Sequence, residues 1–386
     1  MKKILFIGMI ALWAGCFQQM LTGQHVLTPD LHLIRGGDTI FRQEVEYPDA
    51  GRPGRNVLWD FSRLRAVEEG CRVAYRMMSD SLIAENEEHT NSFYRYLPDT
   101  LFHTGYDNLT TCLRNIRPRP FLRFPFAYGD SLSACYYGEG VYGRTVYFTR
   151  AGEVSVKADA CGSMILPGGD TLRNVLRLHY SDRLLRHFSQ EDTVFLNSGG
   201  DSCLLIGDTV IARLKRDTLP LASEVWRWYG RGYRYPVFEV RYDRLIAGSG
   251  PEEYRRTAYY FSPQRQEELT DDAENDRVRL AGREIKESAD EGPGSRSLLD
   301  EGEVSYVVRP VPLHTVLGVE FYLFRKARAN FSLYDMQGRK LCDFGGREYP
   351  SGMHTAECAV GNLQAGEYVL RLTFNNLAYS EKLIKR

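Results

Sequence analysis

The sequence has no excess of either charge sign. Its 49 lysine and arginine residues are balanced by 50 aspartate and glutamate residues, which gives a formal net charge of -1. Nucleic-acid-binding proteins usually carry a clear basic excess, because contacts with the phosphate backbone supply much of the affinity. The charge balance therefore argues against a nucleic-acid partner.

The common catalytic and metal-binding motifs are also missing. The chain contains no HExxH, GxSxG or P-loop sequence, and its histidines are isolated from one another. Because these motifs are missing, we predict no metal and no cofactor, and the sequence identifies no catalytic residue. A metal or serine-hydrolase site built from residues that are distant in sequence would leave no such motif and is the alternative.

Cysteine is sparse, and no two cysteines form a CxxC pair. Seven of the eight remain after removal of the signal peptide described below, at widely separated positions. Zinc sites and dense disulfide frameworks need closer spacing. One to three disulfides would fit an oxidising compartment, and the odd number leaves at least one thiol free or paired between chains.

Long hydrophobic runs are absent apart from one at the N-terminus. Two lysines precede an apolar segment over residues 4–14, and a polar break follows. This order is typical of a signal peptide, and the run is too short to span a bilayer. We predict a signal peptide over residues 1–23, cleaved after Gly23, and no transmembrane segment in the mature chain. The alternative is a lipoprotein acylated at Cys16.

Signals for helices are few, whereas signals for strands are abundant. The chain has 24 tyrosines, 19 phenylalanines and 35 glycines, which favours aromatic-rich strands joined by tight turns. Over residues 24–261 the polar and apolar residues alternate with a period of two. In one run, Leu176 and Leu178 share one face while Arg177 and His179 share the other. We therefore predict an all-β protein with an N-terminal β-sandwich or barrel-like domain.

A charged segment separates this domain from the C-terminus. Residues 262–305 contain no Phe, Trp or Tyr and are rich in charge. Such a segment cannot bury enough apolar surface to offset the entropy of ordering it. We predict a charged linker over residues 262–303, with a solvated helix around residues 267–285. One or two helical turns are also predicted over residues 60–67.

Polar and apolar residues alternate again with a period of two over residues 304–386. Phe331 and Leu333 lie on one predicted strand, and Tyr368 and Leu370 lie on another. A segment of about 80 residues with this pattern fits a small Ig-like β-sandwich of seven strands.

Three turn and strand motifs follow one another in this C-terminal segment, over residues 331–339, 363–370 and 382–386. Gly338 is available for the positive φ of a hairpin turn, and Gly366 turns the chain into the penultimate strand. The segment resembles the type A C-terminal sorting domain of the type IX secretion system of Bacteroidetes. The residues that carry the resemblance are Asp335, Gly338, Arg339, Gly366, Tyr368 and Lys382.

The resemblance implies a route of export. The signal peptide would direct the chain across the inner membrane into the periplasm, and the type IX secretion machinery would carry it across the outer membrane. The terminal domain would then be removed or anchored. The mature protein is expected to be secreted or held at the outer-membrane surface. The alternative is an ordinary terminal β-sandwich that binds a ligand.

Residues 24–261 are similar to uncharacterised secreted proteins that carry the same sorting domain. The similar stretches are residues 124–131, 159–169 and 228–238. That family implies no activity, so no functional residue is carried over from it. We favour a non-catalytic binding or adhesion module, and the alternative is a secreted hydrolase that acts on peptide or glycan.

Two strings resemble catalytic motifs of other families. Residues 138–143 read GxGxxG, but a dinucleotide site needs a helix after them and strand-like residues follow, so hairpin glycines explain them better. Ala160-Cys161-Gly162 resembles a caspase-like nucleophile, with His103 upstream. Asp159 replaces the usual Gln, and no His-Gly pair precedes it. We expect Cys161 to be structural.

A cluster of aromatic residues offers a candidate ligand surface. Flat apolar rings suit contacts with sugars or peptides, although most aromatics at such spacing belong to the core. The candidates for contact with an extracellular glycan or peptide are Trp226, Trp228, Tyr229, Tyr233 and Tyr235.

Asp followed by Ser or Thr and an aliphatic residue resembles the O-glycosylation motif of Bacteroidetes secreted proteins. This string occurs eight times, where composition predicts about one. Gly-Asp-Thr is also a good exit from a tight turn, because Asp bonds to the backbone and Thr begins a strand. Both interpretations place the hydroxyls at exposed strand starts. The residues are Thr39, Ser81, Thr100, Ser131, Thr171, Thr193, Thr209 and Thr218.

Overall fold

The structure is a computed structural model that describes residues 25–68, 70–143, 145–189, 221–247, 250–290 and 303–386. The predicted signal peptide, Cys16, Thr193, Thr209 and Thr218 lie outside these residues. Within the described ranges, no helix is both long enough and apolar enough to cross a membrane.

β-Strands account for most of the described residues, as the alternating pattern and the abundance of aromatic residues predict. The strands are β1 (Val26–Leu27), β2 (Thr39–Val45), β3 (Gly54–Asp60), β4 (Cys71–Ser79), β5 (Leu82–Glu87), β6 (Thr90–Leu97), β7 (Thr100–Asp107), β8 (Thr111–Arg123), β9 (Phe126–Ala127), β10 (Ser131–Tyr142), β11 (Val146–Ile165), β12 (Thr171–Ser189), β13 (Leu221–Tyr229), β14 (Phe238–Ala247), β15 (Gly250–Tyr260), β16 (Val304–Arg309), β17 (Val316–Leu323), β18 (Ala327–Asp335), β19 (Lys340–Tyr349), β20 (Gly352–Ala359), β21 (Gly366–Phe374) and β22 (Leu377–Lys385).

Twelve of these strands form a sheet that closes on itself. Their order is β10–β8–β7–β6–β5–β4–β2–β15–β14–β13–β12–β11, and β10 also pairs antiparallel with β11. Residues 137–142 of β10 therefore pair on both sides, with β8 and with β11, and this double pairing closes the ring. The predicted all-β class is confirmed, and the N-terminal region takes the barrel-like form.

The β10–β11 hairpin also explains the GxGxxG string. Gly143 takes a φ of 57° at the turn. A Cβ at Gly140 would lie 2.6 Å from the Cys112 carbonyl oxygen and 2.5 Å from the Phe148 ring. These glycines therefore allow a tight turn and close strand packing, as expected for a hairpin.

One strand outside the ring extends the sheet. β3 pairs in parallel with residues 160–165 of β11, beyond the stretch that pairs with β10. Arg177, predicted on a polar face, is 1% exposed there and pairs with Asp159. Its guanidinium lies 5.7 Å from the Trp59 ring and 5.8 Å from the Trp228 ring. Both faces of β12 are thus buried at this point, and the ion pair and rings satisfy the charge.

The C-terminal residues form the predicted seven-stranded sandwich. One sheet contains β16, β17 and β20, and the other has the order β19–β18–β21–β22. Phe321, Phe331 and Phe374 are fully buried between them. A disulfide between Cys342 and Cys358 links β19 of one sheet to β20 of the other. The small Ig-like β-sandwich is therefore confirmed.

The sandwich is joined to the closed sheet through β3. β16 pairs in parallel with β3 at Tyr306 and Val57, so its three-stranded sheet continues the larger one. The Ser305 hydroxyl donates to the Ser163 hydroxyl at 2.6 Å, and both side chains are fully buried.

A short helix and a helix of 18 residues precede the sandwich, in the segment predicted as a linker. They are α2 (Pro263–Glu267) and α3 (Ala273–Asp290), and α1 (Pro29–His32) lies near the N-terminus. Gln266 of α2 is 2% exposed. Its side-chain oxygen accepts a hydrogen bond from the Tyr235 amide, and its amide donates to the Pro236 carbonyl. α2 is therefore packed against the closed sheet.

The link between α2 and α3 is anchored by a buried ion pair. Arg234 and Asp272 are 3% and 1% exposed, with 2.6 Å between Nη2 and Oδ1. Asn275 is fully buried and donates to the Leu31 carbonyl and to Asp272. The amino-acid composition did not predict this anchoring, because polar side chains and not apolar ones make the buried contacts. The linker over residues 262–303 and its boundaries remain predictions.

The expected helical turns over residues 60–67 are wrong. Asp60 ends β3 and its carboxylate accepts hydrogen bonds from the Ser62 amide at 3.0 Å and the Ser62 hydroxyl at 2.6 Å. Val67 donates its amide to the Glu44 carbonyl. These side-chain and backbone bonds compete with helix formation and produce a turn.

Candidate functional site

The closed sheet encloses a cavity of about 510 Å³. This volume lies within the range of small-molecule sites in proteins. Strands β2, β4, β5, β6 and β13 to β15 provide most of its lining. The candidate functional site is built on this cavity.

One end of the cavity is apolar. Ile34, Ile40 and Val73 are buried there, and the Tyr75 and Tyr235 rings stack with centroids 4.9 Å apart. The Tyr235 hydroxyl donates to Asp38 at 2.8 Å. This closely packed cluster fills that end of the ring, since the inward-facing residues of adjacent strands meet there.

Charged residues line the middle of the cavity. Glu239 is 6% exposed, its Oε2 lies 2.5 Å from Arg227 Nε, and its Oε1 lies 3.6 Å from Arg241 Nη2. Burial alone would raise the pKa of Glu239, but Arg227 and Arg241 outweigh it and lower that pKa to about 2. Arg42 pairs with Glu87 beside them. Glu239 is therefore ionised at neutral pH.

Glu85 lines the same cavity, but its pKa is shifted upward, whereas that of Glu239 is shifted downward. Burial raises its pKa, and Tyr75, which donates to it, together with Arg227 opposes that shift only in part. The neighbouring Glu239 charge raises it further. Two carboxyl groups in one cavity therefore have pKa values that are driven apart, which is a common property of functional sites.

Cys71 lies at the edge of this charged group. The Arg42 Nε donates to its sulfur at 3.1 Å, and the thiol is 3.6 Å from the Glu87 Oε1. Cys71 carries a free thiol.

A second polar cluster lies between β8, β10 and β12. Arg119 Nε is 2.9 Å from Asp182 Oδ2, and the Tyr136 hydroxyl donates to Asp182 Oδ1 at 2.8 Å. Burial raises the pKa of Tyr136 to about 12, and Asp182 adds to that shift. These groups satisfy one another and form a polar part of the core.

His103 and Cys161 have separate surroundings. His103 is buried, lies 3.2 Å from the Asn115 amide, and has a pKa held well below 6.5 by burial, with Arg150 lowering it further. Cys161 packs against the apolar cluster that contains Leu176.

The five predicted ligand-contact aromatics do not form an exposed patch. Trp228, Tyr229, Tyr233 and Tyr235 are all 9% exposed or less. Trp226 is half-buried and stacks on His179, with ring centroids 4.7 Å apart. Tyr229 and Tyr235 line the cavity. Ligand contact by these residues remains a prediction, and the cavity is where the structure places two of them.

The predicted glycosylation residues differ in exposure. Ser81 and Ser131 are exposed, and Thr39 and Thr171 are half-buried. Thr100 is 6% exposed and donates to Asp99 at 2.8 Å, so the expectation of an exposed hydroxyl is wrong at this position. Modification at all of these positions remains a prediction.

The turn explanation of these strings is visible at Asp130. Its carboxylate accepts a hydrogen bond from the Ala127 amide at 2.8 Å, and Gly129 before it has a φ of 95°. Ser131 then begins β10. Aspartate therefore closes the turn before the strand, as its side-chain chemistry favours.

The predicted sorting motifs form defined turns. Asp335 Oδ1 accepts hydrogen bonds from the Gln337 and Arg339 amides, and Oδ2 lies 2.7 Å from Arg339 Nε. Gly338 takes a φ of 81° and closes the β18–β19 turn. The bond from the Arg339 amide is the main reason why the pKa of Asp335 is lowered.

The penultimate strand begins with a similar local arrangement. The Tyr368 hydroxyl donates to the Gln364 carbonyl at 2.7 Å, and Lys382 pairs with Glu367 across β21 and β22. Gly366 begins β21. Residues 307–386 match the secretion system C-terminal sorting domain. The sorting domain supports export of this chain by type IX secretion. No curated protein matches the chain.

The sequence did not indicate the charged residues of the cavity. Glu85, Arg227 and Glu239 sit at polar positions of alternating strands, where they look like solvent-facing residues. The neighbours of Glu239 on β14, Phe238 and Val240, are fully buried on the opposite face, so the alternation assigns Glu239 to solvent although it faces the cavity. Among the described residues, no three His, Cys, Asp or Glu side chains are placed to hold a metal ion.

Proposed function

We propose that this exported protein binds a small polar ligand within its closed sheet. The observation that carries the proposal is the cavity of about 510 Å³ in which Arg42, Glu85, Arg227 and Glu239 meet. Charged groups inside a sheet are costly to bury. Their presence around an open volume, instead of apolar side chains that would fill it, favours a binding role.

A thermal-shift titration of the mature chain tests the proposal. The probes are galactose, galacturonate and the dipeptide Gly-Phe. A probe at a hundred times its Kd stabilises the folded state by about 2.7 kcal/mol, which corresponds to a rise in Tm of roughly 5–10 °C for a unit of this size. Stabilisation by none of the three probes would contradict the proposal.

Paired variants locate the binding. Glu85→Gln keeps the shape of a cavity residue and should weaken the stabilisation by the probe. Glu224→Gln is the control, because Glu224 pairs with His179 at 2.7 Å and does not line the cavity. Equal effects of the two substitutions would place the ligand elsewhere.

We propose that the signal peptide over residues 1–23 first directs this protein across the inner membrane. The sorting domain then directs passage across the outer membrane of a Bacteroidetes host. A chain that lacks residues 304–386 should remain in the periplasm. Because β16 pairs with β3, a second truncation after Phe374 tests sorting without removing that strand. Normal secretion of both truncated chains would contradict this route.

A hydrolase that acts on glycan or peptide is the second candidate. It is favoured by the opposed pKa shifts of Glu85 and Glu239 in one cavity, which suit a proton donor and an ionised partner. Turnover of a fluorogenic glycoside or peptide that is lost in Glu85→Gln would support it. Binding without turnover would support the first proposal instead.

A further inference from the structure

Two adjacent side chains of the cavity region carry buried polar atoms without partners. Arg241 of β14 and Thr257 of β15 face each other in register. The Arg241 Nε and the Thr257 hydroxyl oxygen are buried and have no hydrogen-bond partner among the described residues. Thr257 is only 6% exposed. Unsatisfied buried groups cost folding free energy, so such a pair calls for an explanation.

Strand geometry aims these groups at the cavity. Side chains two residues apart on a strand share a face, so Thr257 faces the same way as Arg255 and Tyr259. Arg255, Tyr259 and Arg241 all line the cavity. The Thr257 hydroxyl therefore lies between two arginines on the cavity side of the sheet.

The ion pair between Arg241 and its neighbour Glu239 is also long. Its Nη2 is 3.6 Å from Glu239, whose other oxygen is held by Arg227 at 2.5 Å. A guanidinium has five N–H donors, so most of those on Arg241 are available to an acceptor.

The charged residues of the cavity lining are mixed: Arg42, Arg227, Arg234, Arg241 and Arg255 against Glu44, Glu68, Glu85, Glu87, Glu88 and Glu239. Arg42 pairs with Glu87 and Arg227 pairs with Glu239, so these charges are matched. Arg241, opposite Thr257 in register, and Arg255, two residues before it, are the guanidinium groups beside its hydroxyl. Two guanidinium groups beside an unpartnered hydroxyl favour an anionic acceptor over a cationic group.

We propose that Arg241, Arg255 and Thr257 bind a carboxylate group of the cavity ligand. This inference rests on the proposed binding function and specifies its ligand class. Guanidinium groups match the planar carboxylate, and a threonine hydroxyl donates a further hydrogen bond. The carboxylate belongs to an acidic sugar or to a peptide terminus, which share this chemistry.

Calorimetric titration of the mature chain with matched probes tests the inference. The pairs are galacturonate with galactose, and Gly-Phe with its C-terminal amide. The acid of one pair should bind at least about tenfold more tightly than its neutral partner, and that pair identifies the source of the carboxylate. Equal binding within both pairs would overturn the inference and leave the binding function standing. Binding of none of the four probes would overturn both.

Thr257→Val separates ligand recognition from folding. Valine keeps the shape and removes the unsatisfied hydroxyl, so Tm should not fall, while the acid probe should bind about tenfold more weakly. Thr355→Val, at an exposed position of the sorting domain, is the control and should change neither. Unchanged binding of the acid by Thr257→Val would contradict the role of Thr257. A large fall in Tm would show that the hydroxyl is already bonded, and would also contradict it.

Discussion

Replacing Asp272 with alanine should strongly destabilise the closed sheet. Asp272 is 1% exposed and is the carboxylate partner of Arg234, which is 3% exposed. Arg234 also donates to the Leu33 and Asp30 carbonyls and would stay in place without its counter-ion. An uncompensated buried charge of this kind costs about 3–5 kcal/mol.

The size of the effect can be measured by thermal unfolding of the mature chain. For a unit of 150–250 residues, about 1 kcal/mol corresponds to roughly 2–4 °C in Tm, so the expected fall is about 6–20 °C. Glu268→Ala is the matched control, because Glu268 pairs with Arg265 and their side chains are 66% and 57% exposed. An exposed pair contributes about 0–1 kcal/mol.

Truncation extends the test to the whole segment. Both truncated chains lose β16, which pairs with β3, so they are compared with each other. The chain that ends at residue 290 should be more stable than one that ends at residue 261, because only the longer chain keeps Gln266 and Asn275. Equal stability of the two truncated chains, with Asp272→Ala no worse than Glu268→Ala, would contradict this prediction. The segment would then behave as the linker that its composition predicts.

Three further predictions concern other parts of the chain. Replacing both Cys342 and Cys358 with serine should lower the free energy of unfolding of the sorting domain by about 3 kcal/mol, the value for a loop of this length; an unchanged urea midpoint would argue against the disulfide. Burial and Arg231 lower the pKa of His25 to about 4, so the unfolded chain takes up a proton near pH 6.5 that the folded chain refuses. Stability should therefore fall by about 2 kcal/mol between pH 7 and pH 5 through this residue, and His25→Gln should flatten that dependence in urea titrations. Glycosylation at Ser81 or Ser131 should add hexose-type increments to the intact mass of protein from its native host, whereas the mass of the processed polypeptide alone would leave only the turn explanation.

The sequence predicted that the fold is all-β, but it did not predict that twelve strands close into a ring. Period-two alternation reports only that residues such as Leu176 and Leu178 share a buried face, and both are fully buried. It does not report which distant strand pairs with which. The pairing of β10 with both β8 and β11 closes the ring, and it joins segments whose local patterns are alike.

The same limit applies to the cavity. Glu239 alternates with Phe238 and Val240, which are fully buried on the other face of β14, so the pattern predicts that Glu239 faces solvent. Alternation does not reveal that the polar face lines a cavity. Asp272 looked like part of a solvated charge run, because its partner Arg234 is distant in sequence. The sorting domain was recognisable because its turns depend on local residues such as Asp335 and Gly338.

A crystal structure of the mature chain with its tightest-binding acid probe would show whether the ligand binds inside the closed sheet. We expect electron density inside the sheet, with a carboxylate within hydrogen-bond distance of Arg241 and of the Thr257 hydroxyl. Density elsewhere on the molecule, or an interior filled by protein side chains with no room for the probe, would contradict it.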